Sequence, residues 1–225
     1  MWQGKIARYF PVVISVLFAC ALPVVGQPYA SEQTAKIRTN WRVADKLRVG
    51  DVAPDFKLKT KDFTRDVELS SFRGKRPVIL IFGSYSCPSF RSQAGLFDEL
   101  LSRYKRHAEG FVVYIRESNP EGGQASSIND REGISVREPQ EYMQRAELAK
   151  ICCSAMNISI FCLVDRMDDA VSEAYAAWPD RICIVDINGN IAFISRPGPN
   201  GFVPGLQTVD TWLKDAFAGV SIAEP

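Results

Sequence analysis

The sequence contains very little histidine, and this scarcity limits the chemistry open to it. His107 is the one histidine among 225 residues, which excludes histidine-rich metal sites and makes Ser-His-Asp or Cys-His-Asn catalytic groups hard to build. A charge excess is also lacking, since the formal net charge is +1, so nothing indicates a nucleic-acid partner. No two of the six cysteines form a C-x-x-C motif, which argues against zinc ligation and against a reductase that works within one motif.

The N-terminus has the pattern of an export or membrane-targeting segment. Lys5 and Arg8 precede residues 9–25, which carry no charged side chain. A basic start followed by an apolar run is typical of a signal peptide or an N-terminal anchor, and we assign residues 1–30 to such a segment. Cys20 leaves lipidation as a third option. All three alternatives place the rest of the chain on the extracytoplasmic side.

The remaining chain has the composition of one globular domain. Hydrophobic residues make up 46% of the sequence and charged residues 24%, which fits a single domain with an appendage. We assign residues 31–48 to a polar linker and 49–220 to the domain. An odd number of cysteines follows the N-terminal segment, which in an exported protein leaves at least one thiol unpaired. These five are Cys87, Cys152, Cys153, Cys162 and Cys183.

The most informative segment surrounds Cys87. An apolar run, Val78 to Phe82, is followed by Gly83, a short polar turn, the cysteine and then Pro88. This order predicts a buried strand, a turn and a helix whose first position is the proline. A thiol at a helix N-terminus is favoured as the thiolate, which lowers its pKa from about 8.5 toward neutrality. We therefore predict a redox nucleophile at Cys87, with a buried structural cysteine as the alternative.

Strand and helix patterns alternate through the domain. Strands are predicted at 78–82, 111–115, 158–164, 182–186 and 191–195, and helices at 89–106, 139–152, 168–177 and 207–217. Loops are predicted at 117–138, after the second core strand, and at 196–205. This order predicts an α/β protein with a thioredoxin-like fold, in which helices flank a mixed central sheet and an insertion follows the second core strand.

Four polar residues are candidates to support the nucleophile. Ser84 and Ser86 lie in the predicted turn, where a hydroxyl either binds the thiolate or satisfies backbone groups. Glu117 and Asn119 begin the long loop at the same edge of the sheet. Loops at that edge often carry functional residues, although a solvated loop tip is the alternative.

Arg181 is a candidate site residue, whereas His107 is not. Arg181 directly precedes a predicted strand, and it either stabilises the thiolate or is a surface arginine. Thioredoxins place a cis-proline just before this strand, and no proline directly precedes Ile182. His107 lies twenty positions after Cys87 across one helix, a distance of about 30 Å. We therefore exclude the histidine as a base for the thiol.

The other cysteines offer candidate resolving thiols. Cys152 and Cys153 lie near the end of a predicted helix, and either could resolve an oxidised nucleophile or pack as a small apolar residue. A disulfide between these two neighbours would be strained, because bridged Cα atoms usually lie ~4.4–6.8 Å apart and adjacent ones ~3.8 Å. Cys162 and Cys183 fall in buried strand patterns and are assigned to the core, with the alternative that one of them faces Cys87.

Two families are similar to this sequence. Residues 49–56, VGDVAPDF, look like the start of peroxiredoxin and redoxin domains. Ser84 lies where peroxiredoxins carry a hydroxyl residue, but Leu80 stands where they carry a proline. The closer resemblance is to the iodothyronine deiodinase family, and it extends over roughly residues 76–213.

The deiodinase resemblance rests on several separate segments. The matching segments are 77–90, 113–117, 164–169, 174–175, 181–182 and 198–199. It implies a thioredoxin-like fold, with Cys87 at the position where the family carries selenocysteine. Two family histidines are replaced, one by Asn119 and the other by a residue near Arg137. The groups expected to handle protons in deiodination are therefore missing.

Together these features predict a thiol-based oxidoreductase with Cys87 as the nucleophile. The resemblance implies reductive dehalogenation, while a thiol peroxidase and a redox-inactive binding domain remain alternatives. We expect an external thiol reductant and no metal or cofactor. The expected partner is a halogenated aromatic compound, a peroxide or a protein thiol or disulfide, and a homodimer is left open.

Overall fold

Seven strands form one mixed sheet within residues 47–219, the part of the chain that this computed structural model describes. The strands are β1 (Lys57–Thr60), β2 (Asp66–Glu68), β3 (Val78–Gly83), β4 (Glu109–Tyr114), β5 (Phe161–Val164), β6 (Arg181–Val185) and β7 (Ile191–Ile194). Their order across the sheet is β2-β1-β5-β4-β3-β6-β7. The predicted segment at 1–30 and most of the linker at 31–48 lie outside the described residues.

The centre of the sheet is formed by β3, β4 and β5. All six residues of β3 are buried, because an uninterrupted apolar run fits a strand that is covered on both faces. β3 runs parallel to β4, and β4 runs parallel to β5. β6 lies antiparallel to β3 on the other side, and β7 extends it. The carboxyl ends of β3 and β4 therefore meet at one edge of the sheet.

Five α-helices within the described range cover the sheet. They are α1 (Pro88–Tyr104), α2 (Ser127–Glu132), α3 (Tyr142–Ala155), α4 (Ala170–Ala174) and α5 (Pro199–Ala216). Residues of α1, α3 and α5 pack in one apolar cluster with one face of the sheet. The opposite face packs with α4 and with the segment that leads into β1 and β2. The predicted mixed sheet flanked by helices is confirmed.

The predicted loop at 117–138 is wrong in part, because it contains α2. Ser126 caps this helix by accepting a hydrogen bond from the Asn129 amide at 3.3 Å. Gly133 ends it in the left-handed region, at φ 66°, where glycine has no Cβ to clash. The insertion follows β4 as predicted, but short-range capping gives it a helical turn that its polar composition concealed.

The predicted loop at 196–205 is also wrong in part, since α5 begins at Pro199. Proline suits this first position, where a backbone N–H has no partner within the helix. Gly201 allows the start of the helix to approach the preceding chain, because a Cβ there would lie 2.0 Å from the Arg196 carbonyl oxygen. The Pro- and Gly-rich composition that indicated a loop instead permits a tightly packed helix start.

No helix within residues 47–219 has the length and apolar character that crossing a membrane requires.

Candidate active site

The predicted junction at Cys87 is confirmed. β3 ends at Gly83, and α1 begins at Pro88. Cys87 is the residue that precedes the helix, with extended backbone angles of φ −88° and ψ 108°. Its amide donates to the Ser84 carbonyl at 3.1 Å, which closes the turn. The side chain is 2% exposed, so the thiol is buried.

The carboxylate of Asp180 accepts a hydrogen bond from the thiol of Cys87. Cys87 Sγ donates to Asp180 Oδ2 at 3.2 Å and lies 3.3 Å from Ser89 Oγ. The Ser89 hydroxyl donates a short hydrogen bond to the same carboxylate oxygen. The other oxygen, Asp180 Oδ1, accepts the Gly198 amide at 2.7 Å. The buried carboxylate is thus held by the start of α1 and by the residue preceding α5.

The predicted lowering of the pKa of Cys87 is wrong. Burial and the negative charge of Asp180 raise the pKa of the thiol to about 12, against smaller lowering effects of Ser89 and the Phe90 amide. Burial also raises the pKa of Asp180, opposed by its hydrogen bonds with Ser89, Cys87 and Gly198. Burial therefore disfavours the charged form of both groups, and the thiol keeps its proton in the hydrogen bond to the carboxylate. The helix terminus is present, but desolvation and the neighbouring carboxylate outweigh it.

The two turn serines bind backbone groups of the following loop. Ser84 Oγ accepts the Ser118 amide at 3.2 Å, and Ser86 Oγ accepts the Asn119 amide at 2.9 Å. Glu117 Oε2 accepts the Ser86 amide at 2.8 Å. Two roles were considered for these serines, binding of the thiolate and hydrogen bonding to the backbone. In the structure both hydroxyls bind backbone amides. The turn before Cys87 and the loop after β4 are therefore tied together.

Glu117 is buried, which contradicts the alternative of a solvated loop tip for this residue. Its carboxylate also accepts a short hydrogen bond from the Tyr114 hydroxyl, and its amide donates to Glu138 Oε2 at 2.9 Å. Burial raises the pKa of Glu117. Burial and the charge of Glu117 raise the pKa of Glu138 to about 7. Two carboxyl groups with raised pKa values therefore lie at the same sheet edge as the thiol.

Arg181 is buried, so the surface-arginine alternative is wrong. Its guanidinium donates to the Ser195 carbonyl at 2.6 Å and to the Tyr175 and Ala176 carbonyls at 2.9 and 3.1 Å. These bonds join the segment before β6 to the end of β7. The expectation that no cis-proline stands before this strand is wrong, because Pro179 lies two residues before β6 and its peptide bond with Trp178 is cis.

The remaining sequence candidates lie in the core or far from the thiol. Cys152 is buried in the same apolar cluster as Cys87, and burial raises its pKa. Cys153 and Cys162 are buried in that cluster as well. His107 follows the end of α1, and its ring centroid lies 5.3 Å from that of Phe217. The exclusion of this histidine as a base is consistent with its place at the far end of the helix.

Comparison with known proteins identifies the family. A model of the iodothyronine deiodinase family matches residues 33–217. The chain belongs to the iodothyronine deiodinase family. It is 30% identical over 173 residues to the thyroxine 5-deiodinase of Sparus aurata, covering 76% of this chain and 62% of that protein. It is 32% identical over 146 residues to the human type II iodothyronine deiodinase, covering 64% and 52%. The chain thus spans a little over half the length of these relatives.

Solved structures confirm the predicted thioredoxin-like fold. The thioredoxin domain of a thiol-disulfide oxidoreductase from Bacteroides vulgatus superposes with a TM-score of 0.50 at 18% identity, covering 75% of this chain and 99% of that one. Peroxidoxin BcpB from Mycobacterium tuberculosis superposes with a TM-score of 0.53 at 13% identity, covering 75% and 97%. At these identities the likeness shows the fold alone.

Asp180 is one site residue of this deiodinase-family chain that sequence reasoning missed. The register pairs Phe82 of β3 with Arg181 of β6, so the residue before Arg181 lies beside the end of β3. An acidic residue at that position, next to the strand that leads to Cys87, is the signal that could have found it. Ser89, two residues after the nucleophile, was missed as well.

Sequence reasoning also missed Arg91 and Asn129, which hold the turn before Cys87 in place. Arg91 donates to the Tyr85 carbonyl at 2.5 Å and to Asn129 Oδ1 at 2.8 Å. Asn129 Nδ2 donates to the Ser86 carbonyl at 2.9 Å. α2 therefore supports the residues that precede Cys87, and the insertion has a structural role at the site.

A pocket of about 360 Å³ opens at this edge of the sheet. Its lining includes Arg116, Glu117, Glu138, Met167 and Trp178. The guanidinium of Arg116 lies over the Trp178 ring, 5.2 Å from its centroid. Within residues 47–219, no group of three or more His, Cys, Asp or Glu side chains is arranged to hold a metal ion.

Proposed function

We propose that this protein is a thiol-based oxidoreductase that reductively removes halogen from an aromatic ring, with Cys87 as the nucleophile. The observation that carries the proposal is the hydrogen bond from the Cys87 thiol to the buried Asp180 carboxylate at the start of α1. Membership of the deiodinase family supports the reaction class. The carboxylate supplies a proton-handling group in a chain that has Asn119 and a residue near Arg137 in place of the family's two histidines.

The first half of the reaction uses the pair formed by Cys87 and Asp180. Asp180 accepts the thiol proton as the sulfur attacks the halogen, so a buried thiolate need not form in advance. A sulfur–halogen bond forms, and the carbon–halogen bond breaks with its electron pair left on the ring carbon. That carbon takes the proton back from Asp180, which gives the dehalogenated ring and restores the carboxylate.

The second half requires an external thiol, because no C-x-x-C partner is present. One thiol attacks the sulfur of Cys87, expels halide and forms a mixed disulfide. A second thiol attacks the mixed disulfide, releases Cys87 and leaves as an external disulfide. The ring is reduced by two electrons, and two external thiols are oxidised. No metal or cofactor enters this scheme.

The pocket beside Glu117 suits an aromatic substrate. Small-molecule sites commonly have volumes of about 300–1,000 Å³, and this pocket has about 360 Å³. Trp178 and Met167 offer apolar contacts to a ring, and Arg116 offers a positive charge to an anionic group. Glu117 also binds the amide of Ser86, the residue before Cys87, so the pocket adjoins the turn that carries the nucleophile.

Iodide release tests the proposal. The full chain is incubated with an iodinated phenol and dithiothreitol, and iodide is measured with a selective electrode. Wild type and Cys183→Ser should release iodide, because Cys183 is buried in the cluster on the opposite face of the sheet. Cys87→Ser should release none. The absence of iodide from the folded wild type, or unchanged release by Cys87→Ser, would overturn the assignment.

A redox-inactive binding domain is the second candidate, and the high pKa of the buried Cys87 favours it. This alternative expects Cys87→Ser to bind the same partners and to give the same cellular phenotype as wild type. Thiol-dependent peroxide consumption in place of iodide release would instead identify a thiol peroxidase.

We also propose that the domain works on the extracytoplasmic side of the membrane, with residues 1–30 acting either as a membrane anchor or as an export signal. The basic and then apolar character of this segment supports the proposal. Alkaline phosphatase fused after residue 48 should be active if the domain is exported, whereas an inactive fusion contradicts it. The homodimer stays a prediction, to be checked by light scattering.

A further inference from the structure

Four short segments form the edge of the sheet that lies opposite Cys87. The first residue of β3 pairs with the first residue of β4 and the last residue of β6, so the segments before β3 and β4 and after β6 meet at this edge. The Gly74 amide donates to the Ile187 carbonyl at 2.7 Å. An isolated bridge between Val52 and Asn190 brings the start of the domain to the same place. We call these segments the amino edge; they are residues 48–52, 73–77, 105–109 and 186–190.

The amino edge has an excess of positive charge. It carries three acidic side chains and six cationic ones, which are Arg48, Arg73, Lys75, Arg76, Lys105 and Arg106. Six of the 27 Lys and Arg residues and two of the 26 Asp and Glu residues precede residue 47, so the chain from there onward has a net charge of −3. Residues 115–141, which follow β4 at the opposite edge, also carry −3. This asymmetry orients the amino edge toward an anionic surface.

Most of these cations are open to an external anion. Arg76 pairs with Glu109 at 3.4 Å. The other five side chains are exposed and take no part in the ion pairs formed within residues 47–219. The remaining carboxylates of the edge bind backbone amides of their own turns. Asp51 accepts the Arg48 amide at 2.7 Å, and Asp186 accepts the Asn188 amide at 2.9 Å.

Exposed aliphatic side chains lie among the cations. Val49 and Val52 are each 65% exposed, and Ile187 is 44% exposed. Cations interspersed with aliphatic side chains match the interface of an anionic bilayer, which offers headgroup phosphates and acyl chains together. A nucleic acid offers phosphates without acyl chains, and the four segments contain no Phe, Tyr or Trp on which the bases of a single strand could stack. The composition of the edge therefore favours a lipid surface.

The chain enters the domain at this same edge. Residues 9–25 carry no charged side chain, and 21 residues separate them from Leu47. A segment of that length spans at most about 70 Å. Leu47 is followed directly by Arg48, the first residue of the amino edge. A membrane anchor at the N-terminus would therefore hold this edge, rather than the edge near Cys87, at the attachment point of the domain.

We propose that the amino edge docks the domain on a bilayer surface that contains anionic lipid. The basic side chains bind headgroup phosphates, and Val49, Val52 and Ile187 contact the acyl boundary. The six residues of β3 span about 20 Å, so docking directs the edge near Cys87 away from the bilayer and toward the aqueous compartment. The inference rests on the proposed membrane association of residues 1–30 and not on the proposed dehalogenation.

Acylation of lysines in the presence of vesicles tests the docking. The full chain is reconstituted with vesicles of phosphatidylcholine alone or with about 30% phosphatidylglycerol, an anionic lipid. Flotation measures association, and mass spectrometry follows labelling by an N-hydroxysuccinimide ester. Lys75 and Lys105 should be labelled about tenfold more slowly on the anionic vesicles, because a docked surface is shielded from the reagent. Lys57, which is exposed at the opposite edge, should be labelled equally on both.

Two matched pairs of arginine substitutions leave the reporter lysines in place. Arg48→Gln combined with Arg106→Gln removes two cations from the amino edge. Each cation near an anionic surface is worth about a fivefold gain in binding, so the protection of the lysines should fall from about tenfold to less than about twofold. Arg131→Gln combined with Arg196→Gln removes the same charge from exposed positions outside the amino edge and should leave the protection unchanged.

Several results would overturn the docking. Flotation without protection of Lys75 and Lys105, protection that is equal on both vesicle types, or equal protection of Lys57 would each contradict it. Failure of the full chain to float would contradict the membrane association as well. Iodide release is measured on the same samples, and its absence alongside retained protection would contradict the proposed reaction while supporting the docking.

Discussion

Replacing Asp180 by asparagine separates the two effects that the carboxylate has on Cys87. Asp180 Oδ2 lies 3.2 Å from the thiol sulfur, and burial together with the Asp180 charge raises the pKa of Cys87 to about 12. At pH 7, that pKa leaves about one thiolate in 100,000 molecules. The amide has nearly the same shape but carries no charge and cannot accept the thiol proton.

The substitution Asp180→Asn should speed alkylation of Cys87 but slow the release of iodide. Because burial is the largest cause of the raised pKa and the Asp180 charge is the second, we expect the substitution to lower the pKa of Cys87 by about one unit, or about 1.4 kcal/mol. The thiolate population at pH 7, and with it the rate of alkylation by iodoacetamide, should rise about tenfold. Iodide release should fall by about 100-fold or more, because general acid–base transfer is lost.

Mass spectrometry follows alkylation of Cys87 between pH 6 and 9, and the iodide electrode follows turnover. Asp168→Asn is the matched control, since this aspartate is exposed and pairs with Arg166 at 2.7 Å, and it should leave both rates unchanged. Unchanged alkylation in Asp180→Asn would show that the carboxylate is not coupled to the thiol. If turnover rose together with alkylation, Asp180 would not be the proton acceptor.

Two further predictions concern stability. The folded-state pKa of Glu138, about 7, lies above the ordinary value of 4.5. The stability that this carboxyl group contributes is therefore fully present below about pH 4.5 and is lost as the pH rises through 7. Because the Glu138 side chain is 33% exposed, we expect the free energy of unfolding to fall by only about 1–2 kcal/mol over this pH range. Urea titrations should show this fall in wild type and not in Glu138→Gln. Gly83→Ala should destabilise by about 1–3 kcal/mol or more, because its Cβ would lie 2.1 Å from the Phe90 ring. Gly95→Ala, with open space around the new Cβ, should instead stabilise by about 0.5–1 kcal/mol; equal effects would contradict the packing argument.

The junction that carries Cys87 could be predicted because its signals are local. The apolar run of β3, Gly83 and Pro88 lie within eleven consecutive residues, and each restricts the backbone on its own. The alternation of strands and helices likewise follows from short-range hydrophobic patterns. These signals sufficed to predict the mixed sheet and to place the thiol at the carboxyl end of a central strand.

The chemistry around the thiol could not be predicted in the same way. Asp180 is 93 positions from Cys87, and only the antiparallel pairing of β6 with β3 brings them together. The raised pKa of the thiol follows from this long-range contact and from burial, neither of which a local motif reports. The contact of α2 with the site could not be predicted for the same reason, since its Asn129 reaches the Ser86 carbonyl from 43 positions away.

A single-turnover experiment tests the central claim most directly. Reduced full-length protein is mixed with excess iodinated phenol in the absence of any external thiol, and the dehalogenated phenol is quantified against protein. Attack by Cys87 on the halogen predicts a burst of one product molecule per protein, followed by no further turnover until a thiol is added. Product formation by Cys87→Ser, or the absence of a burst in the folded wild type, would contradict the account.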